Sequence, residues 1–135
     1  MAGELNGTLV IIEDSVGEIV GQGELAITYG GTPIDISNKS YQDWITLLDD
    51  ELAAKQVVAA GTFVYNSDAQ YKLLRTNSWA GTHGTYTINF GATGETLTGI
   101  FFGKVDSDAA PHGDKVTSAV TFSSSGVVTR TEPTP

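Results

Sequence analysis

Thr85-Tyr86-Thr87-Ile88-Asn89-Phe90 alternates without a break. On an extended chain Tyr86, Ile88 and Phe90 point one way, and Thr85, Thr87 and Asn89 the other. A helix would scatter the same residues around its circumference, so the stretch reads as a half-buried β-strand. Working outward, Leu97 to Val105 and Lys115 to Phe122 are further strands, the latter with Val116, Val120 and Phe122 on one face. Gly126 to Arg130 reads as a short last strand after the turn signal Ser123-Ser124-Ser125-Gly126. Toward the N-terminus lie Lys55 to Tyr65, with Gly61 placed to form a bulge, and Glu18 to Tyr29, with Leu25, Ile27 and Tyr29 on one face. Thr8 to Glu13 completes the set.

These runs predict an all-β domain, a β-sandwich or partial barrel of about seven or eight antiparallel strands with one short flanking helix. The helix falls at Ser67 to Asn77, capped by Ser67, with Tyr71, Leu74 and Trp79 turned to the sheet. Tyr41 to Lys55 also has helical spacing, since Trp44, Leu47, Leu48 and Leu52 fall at i, i+3, i+4 and i+8. A helix covering a sheet edge and an irregular loop both fit that segment.

The chain has 135 residues, enough for one domain to bury a core without staples, and no cysteine to supply a disulfide or a thiolate site. Residues 1–135 therefore read as one domain, with 1–7 a polar arm and the proline-broken 129–135 a mobile tail. The start, Met1-Ala2-Gly3-Glu4, lacks the basic opening of a secretory signal, and no apolar run is long enough to span a bilayer. The expectation is a soluble product with no membrane partner. Seven basic against sixteen acidic residues give a net charge of −9, which opposes tight binding of phosphate backbones but not passage of DNA.

Signals for chemistry are weak. Gly21-Gln22-Gly23-Glu24-Leu25-Ala26 fits the loose dinucleotide pattern, but an alternating strand follows where a helix must start, so the glycines read as a strand bend or bulge. His83 and His112 sit singly beside glycines in loops, and no second ligand stands at metal-site spacing. Asp106-Ser107-Asp108 with Asp114 lacks the ligand order of a calcium loop and reads as a polar hairpin tip; Asp49-Asp50-Glu51 reads as a solvated acidic face. No nucleophile elbow is present. The expectation is a protein that is not an enzyme and has no catalytic residue, cofactor or metal.

One connection stands out. From Gly30 to about Ala54 the chain carries Ile34-Asp35-Ile36-Ser37-Asn38-Lys39-Ser40 and then Trp44. Connections in small β domains are short and polar; a long one with its own apolar residues is either a disordered insertion or a surface that another chain covers.

The run Ile34 to Ser40 followed by Trp44 resembles a motif of the tail tube proteins of long-tailed bacteriophages. Glu13-Asp14-Ser15 after the first apolar run, the strand Glu24 to Tyr29 leading into Gly30-Gly31-Thr32-Pro33, and Val120 to Val128 around a Ser-Ser-Gly turn are similar to the same family. Gly61-Thr62-Phe63, Ala69 to Thr76 and Phe101-Phe102-Gly103 fall where the family has strand, helix and strand. Tyr41-Gln42-Asp43 departs from it, since a glycine is common before the tryptophan. The resemblance implies a tail-tube-like fold, hexameric rings stacked into a virion tail tube, and assembly in the host cytoplasm around a tape measure protein. Tail terminator and distal tail proteins would be partners, and DNA a passing cargo during ejection. It makes 30–54 a long inter-subunit loop, with Ile34, Asp35, Ile36, Ser37, Asn38, Lys39 and Trp44 as inter-subunit or ring-stacking residues. Ile34, Ile36 and Trp44 would be the buried anchors, and Asp35 with Lys39 either a cross-subunit pair or a local turn bond. Two other readings remain open at this point: the tube of a contractile injection or secretion machine, and a monomeric sandwich that binds a surface or a carbohydrate. The last would need an aromatic platform, for which Tyr65, Tyr71 and Trp79 are the candidates.

Overall fold

Each alternating run becomes a strand because its apolar face reaches a common interior. The computed structural model describes residues 10–37, 44, 45 and 47–132, so the arm 1–7, Asn38, Lys39 and residues 133–135 lie outside the described residues. The strands are β1 (Ile11–Glu13), β2 (Gln22–Asp35), β3 (Leu47–Val64), β4 (Gly84–Asn89), β5 (Thr96–Ala109) and β6 (Thr117–Thr131), with one α-helix, α1 (Ala69–Ala80), between β3 and β4. They pair antiparallel in a single six-stranded sheet, ordered β1-β4-β5-β6-β3-β2.

The expected two sheets of a sandwich are therefore one sheet, and it curls. Gln22 opens β2, at one edge of the sheet. Its side-chain amide accepts from Ile12 N at 2.9 Å and donates to Ile12 O at 2.6 Å and Ile19 O at 2.9 Å, so it reaches β1 at the opposite edge. One side chain thus joins the two edges, which makes the architecture a partial barrel. The core lies inside the curl: Ile12 from β1, Phe63 from β3, Tyr86 and Ile88 from β4, Leu97 and Phe101 from β5, Val120 and Phe122 from β6 are all buried. Tyr86 meets Phe122 edge-on at 5.1 Å between ring centres, and Phe63 lies 6.2 Å from the same ring.

Helix α1 starts one residue later than expected. Asp68, not Ser67, is the cap, its carboxylate accepting from Gln70 N at 3.2 Å; Gly81 ends the helix at φ 77°, a left-handed conformation that glycine adopts without strain. Tyr71 and Leu74 are buried as the spacing required, but Trp79 is 95% exposed. The sheet-facing position one residue earlier belongs to Ser78, whose Oγ accepts from Val105 N at 2.7 Å, and a helical step of ~100° turns Trp79 away. Leu74 rests on Gly103 of β5, where a Cβ would stand 2.7 Å from Leu74 Cδ1.

Three local expectations change. The Ser123–Gly126 turn is absent: β6 runs through it, with Ser124 buried and its Oγ accepting from Val57 N at 2.9 Å. Gly126, at φ 92°, lies in a bulge where pairing shifts between Gly99/Val128 and Phe101/Ser124, so two expected strands are one. The bulge assigned to Gly61 lies on the neighbouring strand, between Gln22 and Leu25, which is where Gly23 of the dinucleotide-like pattern sits. Residues 129–131 of the expected tail belong to β6, with Thr131 opposite Thr96. The helical reading of Tyr41 to Lys55 fails over its described residues, since from Leu47 onward they form β3.

Candidate assembly interface

β3 has two neighbours only from Val58 to Val64, where β6 flanks it. From Val57 back to Leu47 its one strand partner is β2, and the pair runs out of the sheet as a two-stranded arm. Leu47, Leu48 and Leu52 fit a helical stripe, but such a stripe needs a surface to cover, and among the described residues all three stay exposed. The ladder to β2 satisfies the backbone groups instead. Over its described residues the Gly30–Ala54 segment is thus largely strand, with Thr32 opposite Ala53, Pro33 opposite Leu52 and Asp35 opposite Leu47. The pairing slips between Gly30 and Thr32, and there Gly31 at φ 152° and Ala54 at φ 54° bend the arm. A side chain at Gly31 would be strained at its φ of 152°, and its Cβ would push aside the exposed Leu52 Cδ1, 2.9 Å away.

The arm carries apolar side chains into solvent. Trp44 and Ile45 at its end are each 78% exposed, and Ile36, Leu47, Leu48 and Leu52 are exposed as well; Ile34 is half-buried. Of the residues expected at an interface, Ile34, Asp35, Ile36, Ser37 and Trp44 thus share the outer part of one arm, while Asn38 and Lys39 lie outside the described residues. Asp35 makes the local turn bond, its Oδ1 accepting from Ser37 N at 2.8 Å, and the Ser37 side chain and backbone hold its carboxyl below the ordinary range. Ile45, Leu47, Leu48 and Leu52 are exposed on the same arm, beyond the residues the motif singles out. Their signal in the sequence is the cluster of apolar residues that follows Trp44, of which Leu47, Leu48 and Leu52 fit the helical stripe.

Where β3 parts from β6, the base of the arm and the far ends of β5 and β6 enclose a groove of about 600 Å³. Leu97 and Val128 lie in it, with exposed Tyr29 and Leu52 on the arm side and Val127, in the β6 bulge, on the other. Arg130 Nε donates to Glu95 Oε2 at 2.7 Å, and burial with the nearby Glu95 charge pushes the Tyr29 phenol up.

On the other side of the molecule a polar latch holds α1 to the sheet. Arg75 donates through Nη1 and Nη2 to the two carboxylate oxygens of Asp108, each at 2.9 Å. Ser118 Oγ donates to Asp108 at 2.6 Å and lies 2.7 Å from the buried Tyr71 hydroxyl. The Arg75 guanidinium, with help from Ser118, holds the Asp108 carboxyl down at about 2. It also lies 5.0 Å over the Tyr65 ring. Asp106 and Asp108 are therefore strand residues with partners, Asp106 accepting from Thr121. Tyr65, Tyr71 and Trp79 form no platform: Tyr71 is buried, Tyr65 meets it edge-on at 5.7 Å, and Trp79 projects alone.

The outer face of the sheet is fine-grained, with Glu24 its one exposed unpaired charge among the residues lining the shallow depression there. Ala26 and Thr28 of β2, Ala60 and Thr62 of β3, and Ala119 and Thr121 of β6 point away from the core, and Lys104 lies 3.7 Å from Asp106 beside them. Among the described residues no three metal-ligating side chains converge.

No family model and no curated protein matches this sequence. Solved structures do match. A chain in the virion of the native gene transfer agent (GTA) particle superimposes with a TM-score of 0.79 at 18% identity, over 95% of this chain and 99% of its own. A chain in the tail of the empty GTA particle, computed with helical refinement and C6 symmetry, gives 0.82 at 18% identity with the same coverage. This chain has the fold of those phage-like tail chains along nearly its whole length. The resemblance read from the Ile34–Trp44 motif is borne out at that level.

Proposed function

We propose that this chain is a structural subunit of a phage-type tail tube. Six copies close into a ring, rings stack into a tube around a tape measure protein in the host cytoplasm, and terminator and distal tail proteins finish its ends. The observation that carries the reading is the arm whose apolar side chains are exposed among the described residues, on a fold that superimposes over 95% of the chain on one from a C6-symmetric tail. A two-stranded ribbon is marginal alone in water, and exposed tryptophan and leucine at its end favour burial against another subunit. Ile34, Asp35, Ile36, Ser37, Asn38, Lys39 and Trp44 are the proposed inter-subunit or stacking residues.

The role is passive, with no turnover and no cofactor. The convex face of β2, β3 and β6 serves as the wall past which DNA slides. Tight phosphate binding requires lysines and arginines that release counterions, and small methyl and hydroxyl groups do not provide it. Lys104, at the border of that face, has Asp106 beside it. The overall charge of −9 works in the same direction, keeping DNA from adhering.

Negative-stain electron microscopy of the purified protein over a concentration series, with light scattering, tests the proposal. Six-fold rings or tubes with an open channel are expected. A protein that stays monomeric at high concentration, with and without a tape measure protein, refutes it.

A further inference from the structure

We infer that the bulge at the root of the arm is a two-position hinge with Ala54 as its pivot. The inference concerns the single subunit and does not depend on what the arm meets. The ladder between β2 and β3 is regular from Leu25 opposite Gly61 to Gly30 opposite Gln56, and it resumes at Thr32 opposite Ala53. Gly31 alone therefore faces two residues, Ala54 and Lys55. Two residues against one make a β-bulge, and the first of the two takes one of two conformations. Near the right-handed helical region any residue is accepted; in the left-handed region glycine is the residue that fits. Ala54, at φ 54°, has the left-handed form, alone in this among the described residues that are not glycine.

A left-handed alanine persists where its surroundings leave it no alternative. The body side of the bulge is held in that way. Ser124 of β6 accepts from Val57 N through its Oγ at 2.9 Å, and its carbonyl accepts from the Gln56 side-chain amide at 3.2 Å. The arm side is not held. Among the described residues β2 and β3 pair only with each other beyond the bulge, since β6 flanks β3 from Val58 to Val64. Turning Ala54 to the right-handed form keeps the count of two against one, so the pairs on both sides survive and only the direction of the arm changes. Beyond the hinge the arm extends through Thr32 to Asp35 of β2, roughly 13 Å of lever. Strain at Ala54 brings the two directions close in free energy, and a contact made in only one of them selects it.

The test is a distance measured within one subunit. Trp44→Cys at the arm end and Trp79→Cys on α1 place two spin labels at exposed positions of a chain with no cysteine of its own. Pulsed electron paramagnetic resonance, at a concentration where light scattering shows monomers, should give two distances, one of them that of the structure. Adding Ala54→Gly should raise the share of that distance relative to the other about 5-fold, since glycine has no left-handed penalty. Ala54→Val should lower it by at least as much, since a β-branched residue is excluded from that region. Ala53→Gly, beside the bulge but paired with Thr32, should leave the ratio within about 2-fold, which separates a hinge from a looser ribbon. Circular dichroism checks that each variant is folded. A single distance shared by the parent and both Ala54 variants overturns the inference. So does a ratio that Ala53→Gly moves as far as Ala54→Gly does. Either result leaves the tube reading standing, and a protein that forms no rings leaves the hinge standing.

Discussion

Trp44→Ala separates an assembly residue from a folding residue. The indole is 78% exposed, so in the isolated subunit it holds little together. A tryptophan presents roughly 200 Å² and ~150 Å² of it remains to be buried, which at ~25 cal/mol/Å² caps the gain in an interface near 4 kcal/mol. The cost of association and imperfect burial reduce that, and truncating an anchor of this kind costs ~2–4 kcal/mol per contact. At ~1.4 kcal/mol per decade, even the lower figure raises the concentration needed for assembly about 30-fold. The same substitution should change folding stability by less than ~0.5 kcal/mol, or about 2 °C in Tm. Right-angle scattering against concentration reads the first quantity, a thermal melt the second, and microscopy of the same samples identifies the particles. Assembly at the wild-type concentration would refute the reasoning. So would a melting point lowered by more than ~5 °C, since that places Trp44 in the fold.

Gly103→Ala puts a methyl 2.7 Å from Leu74 Cδ1 and 2.8 Å from Phe122 Cε2; it should cost ~1–3 kcal/mol in chemical denaturation, with Leu74→Val in the same chain recovering part. Gln22→Ala removes the bridge between the sheet edges and leaves Ile12 N and Ile19 O without that partner, while Ile12 O keeps Ile19 N; a loss of ~2–3 kcal/mol is expected, and amide exchange at Ile12 should speed up before exchange in β5. Arg75→Met breaks the latch. Asp108 and Arg75 are both partly exposed, so solvent screening holds the loss to about 1 kcal/mol. The Asp108 carboxyl is held down at about 2, so its contribution is complete above the ordinary aspartate value near 4 and disappears as pH falls through about 2. Wild type minus Arg75→Met stability, measured across that window, should shrink toward zero at the acid end. A difference that stayed constant would show that Arg75 acts through packing on Tyr65 and not through the ion pair.

The local sequence determined which residues face inward. Tyr86 with Ile88, and Val120 with Phe122, are buried because alternation is a property of the extended chain itself and needs no knowledge of the neighbouring strand. Tyr71 and Leu74 were legible for the same reason at helical period. The Ile34–Trp44 motif marked the arm that carries apolar side chains into solvent, through apolar residues in a connection that otherwise calls for polar ones. Pairing is what the sequence left open. A strand finds its partner through backbone hydrogen bonds that carry no side-chain signature, so the tertiary structure alone set the order β1-β4-β5-β6-β3-β2, made one curled sheet of the expected two and bridged its edges through Gln22. It also turned a leucine stripe with helical spacing into a projecting ribbon, because β2 offered that stripe a ladder and none of the described residues offered it a surface. The groove depends on the same nonlocal pairing. Tyr29, Leu97 and Val127 come together where β3 leaves β6, and no local window of sequence contains all three.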